Sequence, residues 1–281
     1  MIDVIEKMKT EMFRRKYSIR TVKSYCDVVN AFLKKTRIED VRRIKKSDIK
    51  EYLNTLHEKS GNTINVHLNA LKFMMEEILH KNCYVHIKYS KVPKRIPEYL
   101  TKDEMVRVFN AIENPKHKLM IKFMYSAGLR LSESVNLKVC DFNFNDNNGW
   151  VRGGKGNKDR AFIIAQSLKD ELLSFISENR LNSNDFIFIG RHGHISNRTI
   201  QEILKNAGDK AGITKRVHPH MLRHSFATHL VREGTDLFTI QSLLGHSDVR
   251  TTQIYAHIAN PKLINAKSPL DSIDISKHSV N

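Results

Sequence analysis

Apolar side chains recur every three or four residues through most of positions 1–84, which is the spacing of helices that bury one face. The clearest stripe follows Ser18, a residue type that favours the start of a helix. It consists of Val22, Tyr25, Cys26, Val29, Phe32 and Leu33. Two further stripes are expected to begin near Ser47 and near Asn62 or Thr63. Helices that each carry one apolar face predict a small bundle.

The helical spacing stops over residues 85–99, where Pro93 and Pro97 restrict the backbone to extended conformations. This segment is rich in lysine and arginine, so it could lie across a nucleic-acid backbone. We interpret it as a basic linker between two domains. A second basic run, at residues 34–46 between two of the predicted helices, is either a solvated loop or a further phosphate contact.

A second helical region begins at Thr101, which starts a capping-box pattern. The next helix is expected to run from Pro115 to near Gly128, because proline suits a first helical turn and glycine suits a left-handed helix end. Arg130 follows this glycine almost directly, and Glu133 marks the start of a short helix.

Two turn signals, at residues 146–149 and 153–159, interrupt the helical pattern. Each precedes residues that favour strands, which predicts an antiparallel meander of about three strands. Lys155 is expected near the tip of the second hairpin. Helices are expected to resume at Ser167 and, with a serine cap, at Ser196.

The predicted fold class is therefore mainly α with a small antiparallel β-sheet. The chain has 281 residues, a comfortable length for two domains, and 40% of them are hydrophobic, as in a protein with a packed core. The net charge is +17 and is spread along the chain, with more basic than acidic residues both before and after residue 100. A surplus of this size raises the expectation of a polyanionic partner, although some basic proteins bind none.

The cysteine pattern excludes several other classes. Cys26, Cys83 and Cys140 are far apart, so neither a disulfide framework nor a zinc knuckle is predicted, and a reducing cytoplasm is expected. The first residues do not resemble a signal peptide. No run approaches the roughly 18 apolar residues of a membrane span, so no membrane association is expected.

The candidates for chemistry are polar side chains spread over the second half of the chain: Arg130, Lys155, His220, Arg223, His246 and Tyr255. Each one alone has an ordinary structural explanation. His220 and His224 are four residues apart and could share a metal ion, but no glutamate lies between them and no third ligand is near in sequence. A phosphate-binding loop of the Walker type is also missing. We therefore expect no metal and no cofactor.

The order of five sequence blocks makes this set specific. They are Ala127–Glu133, Gly154–Arg160, Pro219–Thr228, Leu244–Ser247 and Thr251–Tyr255. In this order they resemble the tyrosine recombinase family, and most closely its Xer-type site-specific recombinases. The likeness is strong over residues 100–260 and general over the N-terminal helices. It implies a SAM-like core-binding domain at residues 1–84, a linker at 85–99, an α+β catalytic domain at 100–258 and a C-terminal tail at 259–281.

The resemblance also implies a role for each candidate. Tyr255 would attack a DNA phosphodiester, and it needs a base because the pKa of a tyrosine is about 10. His220 is matched to that task near neutral pH. Arg130 and Arg223 would bind the non-bridging oxygens with planar forks.

The remaining candidates support the same step. His246 would donate one more hydrogen bond to the phosphate, and Lys155 would protonate the departing 5′-oxygen. Glu133 is an auxiliary candidate that either orients a basic residue or only complements the helix dipole. His224 is expected to be structural or to act from behind the site.

The implied product is a 3′-phosphotyrosyl link, and the implied partner is duplex DNA at a specific site. A homotetramer would act on two sites, from protein that is monomeric or dimeric when free. The tail at residues 259–281 would dock on a neighbouring subunit, or it is a frayed end. The absence of an added arm-binding domain favours resolution of chromosome or plasmid dimers.

Three other functions stay open. The chain could be an integrase of a mobile element. It could be a type IB topoisomerase, which shares the chemistry but acts alone and relaxes supercoils. It could also be a DNA-binding protein without catalysis, although every catalytic position is filled.

Overall fold

The helices and strands follow the predicted fold class, mainly α with small antiparallel sheets. The computed structural model describes residues 2–38, 40–81, 87–93, 97–153, 159–190 and 193–245. The chain divides into two units, residues 1–95 and 96–281. No helix within these described ranges is long and apolar enough to cross a membrane.

In its described residues the first unit is a bundle of four α-helices: α1 (Ile2–Arg14), α2 (Ile19–Thr36), α3 (Lys46–Asn54) and α4 (Gly61–Phe73). A 3₁₀ turn at Val41–Arg43 joins α2 to α3, and a π turn at Met74–Ile78 extends α4. The predicted cap of α2 is confirmed, since Ser18 Oγ accepts a hydrogen bond from Thr21 N at 3.1 Å. The predicted apolar stripe of α2 is buried except for Tyr25, which is half-buried.

The other two predicted helix starts in this unit differ from the structure by one or two residues. Helix α3 begins at Lys46, next to Ser47, and the Asp48 carboxylate accepts a hydrogen bond from Lys45 N at 2.8 Å. Helix α4 is capped by Ser60, whose Oγ accepts from Thr63 N at 3.2 Å, so neither Asn62 nor Thr63 opens it. In both cases a nearby oxygen satisfies a free helix amide.

The described beginning of the predicted linker lies against α4. Asn65 exchanges two hydrogen bonds with the backbone of Ser90, at 2.8 and 3.1 Å. Tyr89 donates to Asn69 Oδ1 at 2.8 Å. The described residues 87–93 form neither helix nor strand, and by their contacts they belong to the first unit.

The second unit contains seven helices among its described residues: α5 (Lys102–Ala111), α6 (Pro115–Ser126), α7 (Leu131–Asn136), α8 (Gln166–Glu178), α9 (Asn197–Lys210), α10 (Pro219–Arg232) and α11 (Leu237–Leu244). A three-stranded antiparallel sheet lies between α7 and α8 in sequence, with β1 (Phe142–Asn143), β2 (Asn148–Val151) and β3 (Arg160–Ile163) in that spatial order. The core is built around large aromatic side chains, among them Phe123, Phe162 and Phe188.

Most predicted boundaries of this unit are confirmed. Thr101 and Glu104 form the capping box of α5, and Pro115 occupies the first turn of α6. Ser196 caps α9. The prediction that Ser167 begins a helix was wrong, because α8 starts one residue earlier and has no side-chain cap.

A second small hairpin, β4 (Ile189–Gly190) with β5 (Gly193–His194), was not predicted. Strands of two residues are too short to show an alternating pattern.

Candidate active site

Arg130 is placed by the end of α6. Gly128 takes a left-handed conformation with φ +57°, and a Cβ atom on it would lie 2.4 Å from Phe226 Cδ1. Only glycine fits this turn, for both reasons. The chain then enters α7, and Arg130 stands at its N-terminus with a side chain that is 18% exposed.

Glu133 holds a buried carboxylate among three arginines. Its Oε1 accepts from Arg130 Nη1 at 2.6 Å, and its Oε2 accepts from Arg160 Nη2 at 2.5 Å. Arg223 Nη1 lies 3.9 Å from the same Oε2. Burial alone would raise the pKa of this carboxyl group, but the hydrogen bonds and charges of Arg160 and Arg130 lower it to about 2. Glu133 is therefore ionised throughout the neutral range.

The C-terminus of α11 meets the same arginines through its backbone. Three successive carbonyl oxygens accept hydrogen bonds, that of Leu243 from Arg160 Nη1, that of Leu244 from Arg223 Nη2 and that of Gly245 from Arg130 Nη2, the last at 3.3 Å. The last carbonyls of a helix lack partners within the helix and carry partial negative charge. Three guanidinium groups therefore hold one helix end.

Arg223 comes from α10 and is almost fully buried, at 4% exposed. Besides Leu244, it contacts Gly128, whose carbonyl oxygen accepts from Arg223 Nη1 at 2.7 Å. One side chain thus ties the turn before Arg130 to the end of α11. Arg130 and Arg223, which are 93 residues apart in sequence, become neighbours in this way.

His220 lies at the start of α10 and borders a cleft of about 890 Å³. The cleft is also lined by Arg130, Glu133 and the end of β2 at residues 151–153. Loss of hydration in the cleft is the main reason that the pKa of His220 falls below its usual value of 6.5, and the charges of Arg223 and Arg130 lower it further. Its imidazole is therefore neutral at pH 7 and able to accept a proton.

Two more histidines, His218 and His224, lie within four residues of His220. His218 caps α10, since its Nδ1 accepts from Met221 N at 3.2 Å. His224 lies one turn after His220, with 6.4 Å between the ring centroids. Burial first, and then the nearby histidines and Arg223, lower the pKa of His224 to about 4. In the described part of the chain, no group of three or more histidine, cysteine or acidic side chains is arranged to hold a metal ion.

Four of the predicted site residues come together: Arg130, Glu133, His220 and Arg223. Lys155, His246 and Tyr255 lie outside the described residues. The hairpin that carries Lys155 is described only at its stem, where Gly153 N donates to Asp159 Oδ1 at 2.8 Å and borders the cleft.

The sequence reasoning missed Arg160 as part of this cluster. Arg160 and Phe162 are two residues apart on β3, so their side chains lie on the same face of the strand, and both are buried. An arginine in phase with buried apolar residues on a strand is a signal of a buried ion pair. The backbone oxygens of α11 offer no such signal, because every residue has one.

Several known proteins are similar to this chain over most of its length. The phage integrase family matches residues 98–261, and the N-terminal SAM-like domain of phage integrases matches residues 4–83. Tyrosine recombinase XerA of Pyrococcus horikoshii is 35% identical over 272 residues, which cover 94% of this chain and 92% of that protein. An integrase/recombinase of Escherichia coli is 30% identical over 318 aligned positions, covering 97% and 94%.

A solved structure shares the fold. The XerH site-specific recombinase, bound to a palindromic difH substrate in a post-cleavage complex, superposes with a TM-score of 0.75. The match covers 92% of this chain and 82% of that one, at 23% identity.

Proposed function

Since this chain belongs to the phage integrase family of tyrosine recombinases, we propose that it cuts and rejoins duplex DNA at a specific site through a 3′-phosphotyrosyl intermediate. The observation that carries the proposal is the meeting of Arg130 and Arg223 at the end of α11, directly before His246 in sequence. His220 borders the adjoining cleft.

The first chemical step would be attack by Tyr255 on the scissile phosphorus. The phenol proton passes to His220, whose lowered pKa keeps its imidazole ready to accept it. Arg130 and Arg223 stabilise the charge that builds on the non-bridging oxygens. The contact of Arg130 with Glu133, and the contacts of Arg223 with the carbonyl oxygens of Gly128 and Leu244, hold the two guanidiniums in place. His246 donates a further hydrogen bond.

The leaving group is the 5′-oxygen of the DNA, and Lys155 gives it a proton as the P–O bond breaks. The new phosphotyrosyl bond keeps the energy of the broken one. A second 5′-hydroxyl can therefore attack it and release Tyr255 without an external energy source. In this proposal the arginines and Lys155 supply the positive charge that a metal ion supplies in other phosphoryl transfers, so the reaction is metal-independent.

Each predicted domain would have its own role. Residues 1–84 would bind the core DNA, residues 85–99 would connect the two domains, and residues 100–258 would catalyse strand cleavage and rejoining. A homotetramer would assemble on two DNA sites, with the tail at 259–281 docked on a neighbouring subunit. A protein that acts on chromosomal DNA in this way would work in the cytoplasm.

Resolution of chromosome or plasmid dimers is the biological role that we propose. It rests on the resemblance of the sequence blocks to Xer-type recombinases, and a relative named tyrosine recombinase XerA is among the similar proteins. Integration of a mobile element is the second candidate, because a relative named integrase/recombinase matches the chain over nearly its whole length.

The test is covalent capture. Fragmented genomic DNA is incubated with the protein, denatured, and the fragments that stay attached are sequenced. We expect the wild-type protein to attach to a defined site and Tyr255→Phe to attach to none. Attachment that survives Tyr255→Phe, or no attachment by the wild type, refutes the proposal. A site on the chromosome shared by all strains supports dimer resolution, and a site at the ends of a mobile element supports integration.

A further inference from the structure

Arg160 has no part in the chemistry above, although its charge lies inside the site. Its side chain is only 5% exposed, so DNA phosphates cannot reach it. A buried guanidinium is costly unless its donors are paired. Here the two terminal nitrogens are paired: Nη2 donates to Glu133 Oε2 at 2.5 Å, while Nη1 donates to the carbonyl oxygen of Leu243 and, at 3.3 Å, to that of Ala161. The buried Nε has no hydrogen-bond partner among the described residues.

These contacts join β3 to α7, through Glu133, and to the end of α11, through Leu243. Both of these elements contact the phosphate-binding arginines. The carboxylate of Glu133 contacts Arg160 through one oxygen and Arg130 through the other. The carbonyl oxygen of Leu243 begins the series whose next two members accept from Arg223 and Arg130. Moving Arg160 would therefore disturb both partners of Arg130 at once.

The close approach of α11 to Arg160 is a second, independent sign of this arrangement. Gly245 ends the helix in a left-handed conformation with φ +58°. A Cβ atom on it would lie 2.5 Å from Arg160 Cδ. The last residue of the helix cap therefore lies against the stem of the Arg160 side chain.

We propose that Arg160 is a positioning residue for strand transfer, which anchors the Glu133 carboxylate and the end of α11 and thereby orients Arg130 and Arg223. The inference rests on the proposed function and deepens it. Arginine suits the position because its planar fork reaches two acceptors that lie in different directions. Lysine would keep the charge beside Glu133 but not the fork.

The test compares three variants with the wild-type protein on a nicked duplex that carries the cleavage site recovered by covalent capture. Arg160→Met removes the charge and the fork, and Arg160→Lys removes only the fork. Arg107→Met is the matched control, because Arg107 also donates to a carbonyl oxygen at a helix end, that of Ala211 at 3.3 Å, but lies outside the site. DNA affinity and the rate of adduct formation at saturating DNA are measured separately.

We expect Arg160→Met to bind DNA like the wild type and to form the adduct about 100-fold more slowly, as for a misplacement of about 1 Å. The dependence of stability on pH distinguishes loss of the charge beside Glu133 from a nonspecific loss of folding. Among the described residues, the charged groups that face Glu133 are Arg130 from the start of α7, Arg160 from β3 and Arg223 from α10. Without Arg160 the pKa of Glu133 rises, so the stability that its charge provides, measured by urea unfolding, should be lost at a higher pH in Arg160→Met than in the wild type.

Arg160→Lys should be slower than the wild type but keep the wild-type dependence of stability on pH, because its charge remains. If Arg160→Met does not fold, Arg160→Lys alone decides: a lower rate with unchanged affinity supports the proposal, and a wild-type rate overturns it. An Arg160→Met protein as fast as Arg107→Met overturns it too, as does equal loss of rate and affinity at every pH. If the wild-type protein forms no adduct, the proposed function fails and this inference fails with it.

Discussion

Replacing Glu133 by glutamine tests how far the buried charge cluster stabilises the second unit. The glutamine keeps the size of the side chain but removes the negative charge that Arg130 and Arg160 share. It also turns an NH₂ group towards one of the two guanidiniums, where only an acceptor fits.

The magnitude follows from the pKa of Glu133. In the unfolded chain its carboxyl group titrates near 4.5, and in the folded protein near 2. A shift of one unit corresponds to about 1.4 kcal/mol, so the charged form contributes on the order of 3 kcal/mol to folding at neutral pH. Because the folded pKa is the lower one, this stabilisation is present above pH 4.5 and is lost as the pH falls towards 2. We expect Glu133→Gln to unfold about 3 kcal/mol more easily at pH 7.

The assay is urea unfolding followed by tryptophan fluorescence. The chain has one tryptophan, Trp150 on β2, so the signal reports only the second unit. Glu104→Gln is the matched control, because Glu104 occupies the same capping-box position in α5 but pairs with one cation among the described residues, Lys215, at 2.7 Å. We expect the control to lose less stability. A Glu133→Gln protein no less stable than Glu104→Gln would refute the reasoning, as would a wild-type protein whose stability does not fall between pH 4.5 and 2.

Two further predictions concern the same site. Gly245→Ala should destabilise the second unit by at least about 1 kcal/mol in the same urea assay, because alanine strains the left-handed backbone and its Cβ meets Arg160; unchanged stability would contradict this close approach. His220 sets the pH at which adduct formation slows on the acid side. Since its pKa lies below 6.5, the wild-type rate should be half-maximal at a pH below 6.5, and a midpoint at or above that value would argue against His220 as the base.

Local sequence signals predicted the elements well where the cause was local. The cap at Ser18, the capping box at Thr101 and the helix end at Gly128 each depend on atoms within four residues. The same rules placed the starts of α3, α4 and α8 one or two residues late, because α3 and α8 have no N-cap side-chain hydrogen bond and α4 is capped by Ser60. Errors of this size do not change which face of a helix is buried.

Glu133 shows the limit of such reasoning at the site. The sequence left two explanations open, the orientation of a basic residue or the helix dipole. The structure shows the carboxylate in contact with two guanidiniums and shielded from water, which the dipole alone does not require. Among the partners of Glu133, Arg160 lowers its pKa most. The sequence placed Arg160 in the block Gly154–Arg160 but assigned it no role.

The sequence by itself determined the mainly helical fold and the order of the blocks that carry Arg130, Lys155, His220, Arg223, His246 and Tyr255. Helical spacing and turn chemistry act over a few residues, so they can be read along the chain. Only the tertiary structure decided that Arg130, Arg160 and Arg223 meet on the last carbonyl oxygens of α11 and on one carboxylate. That meeting joins segments up to 115 residues apart, between Arg130 and Gly245, and depends on backbone acceptors that no residue type reveals.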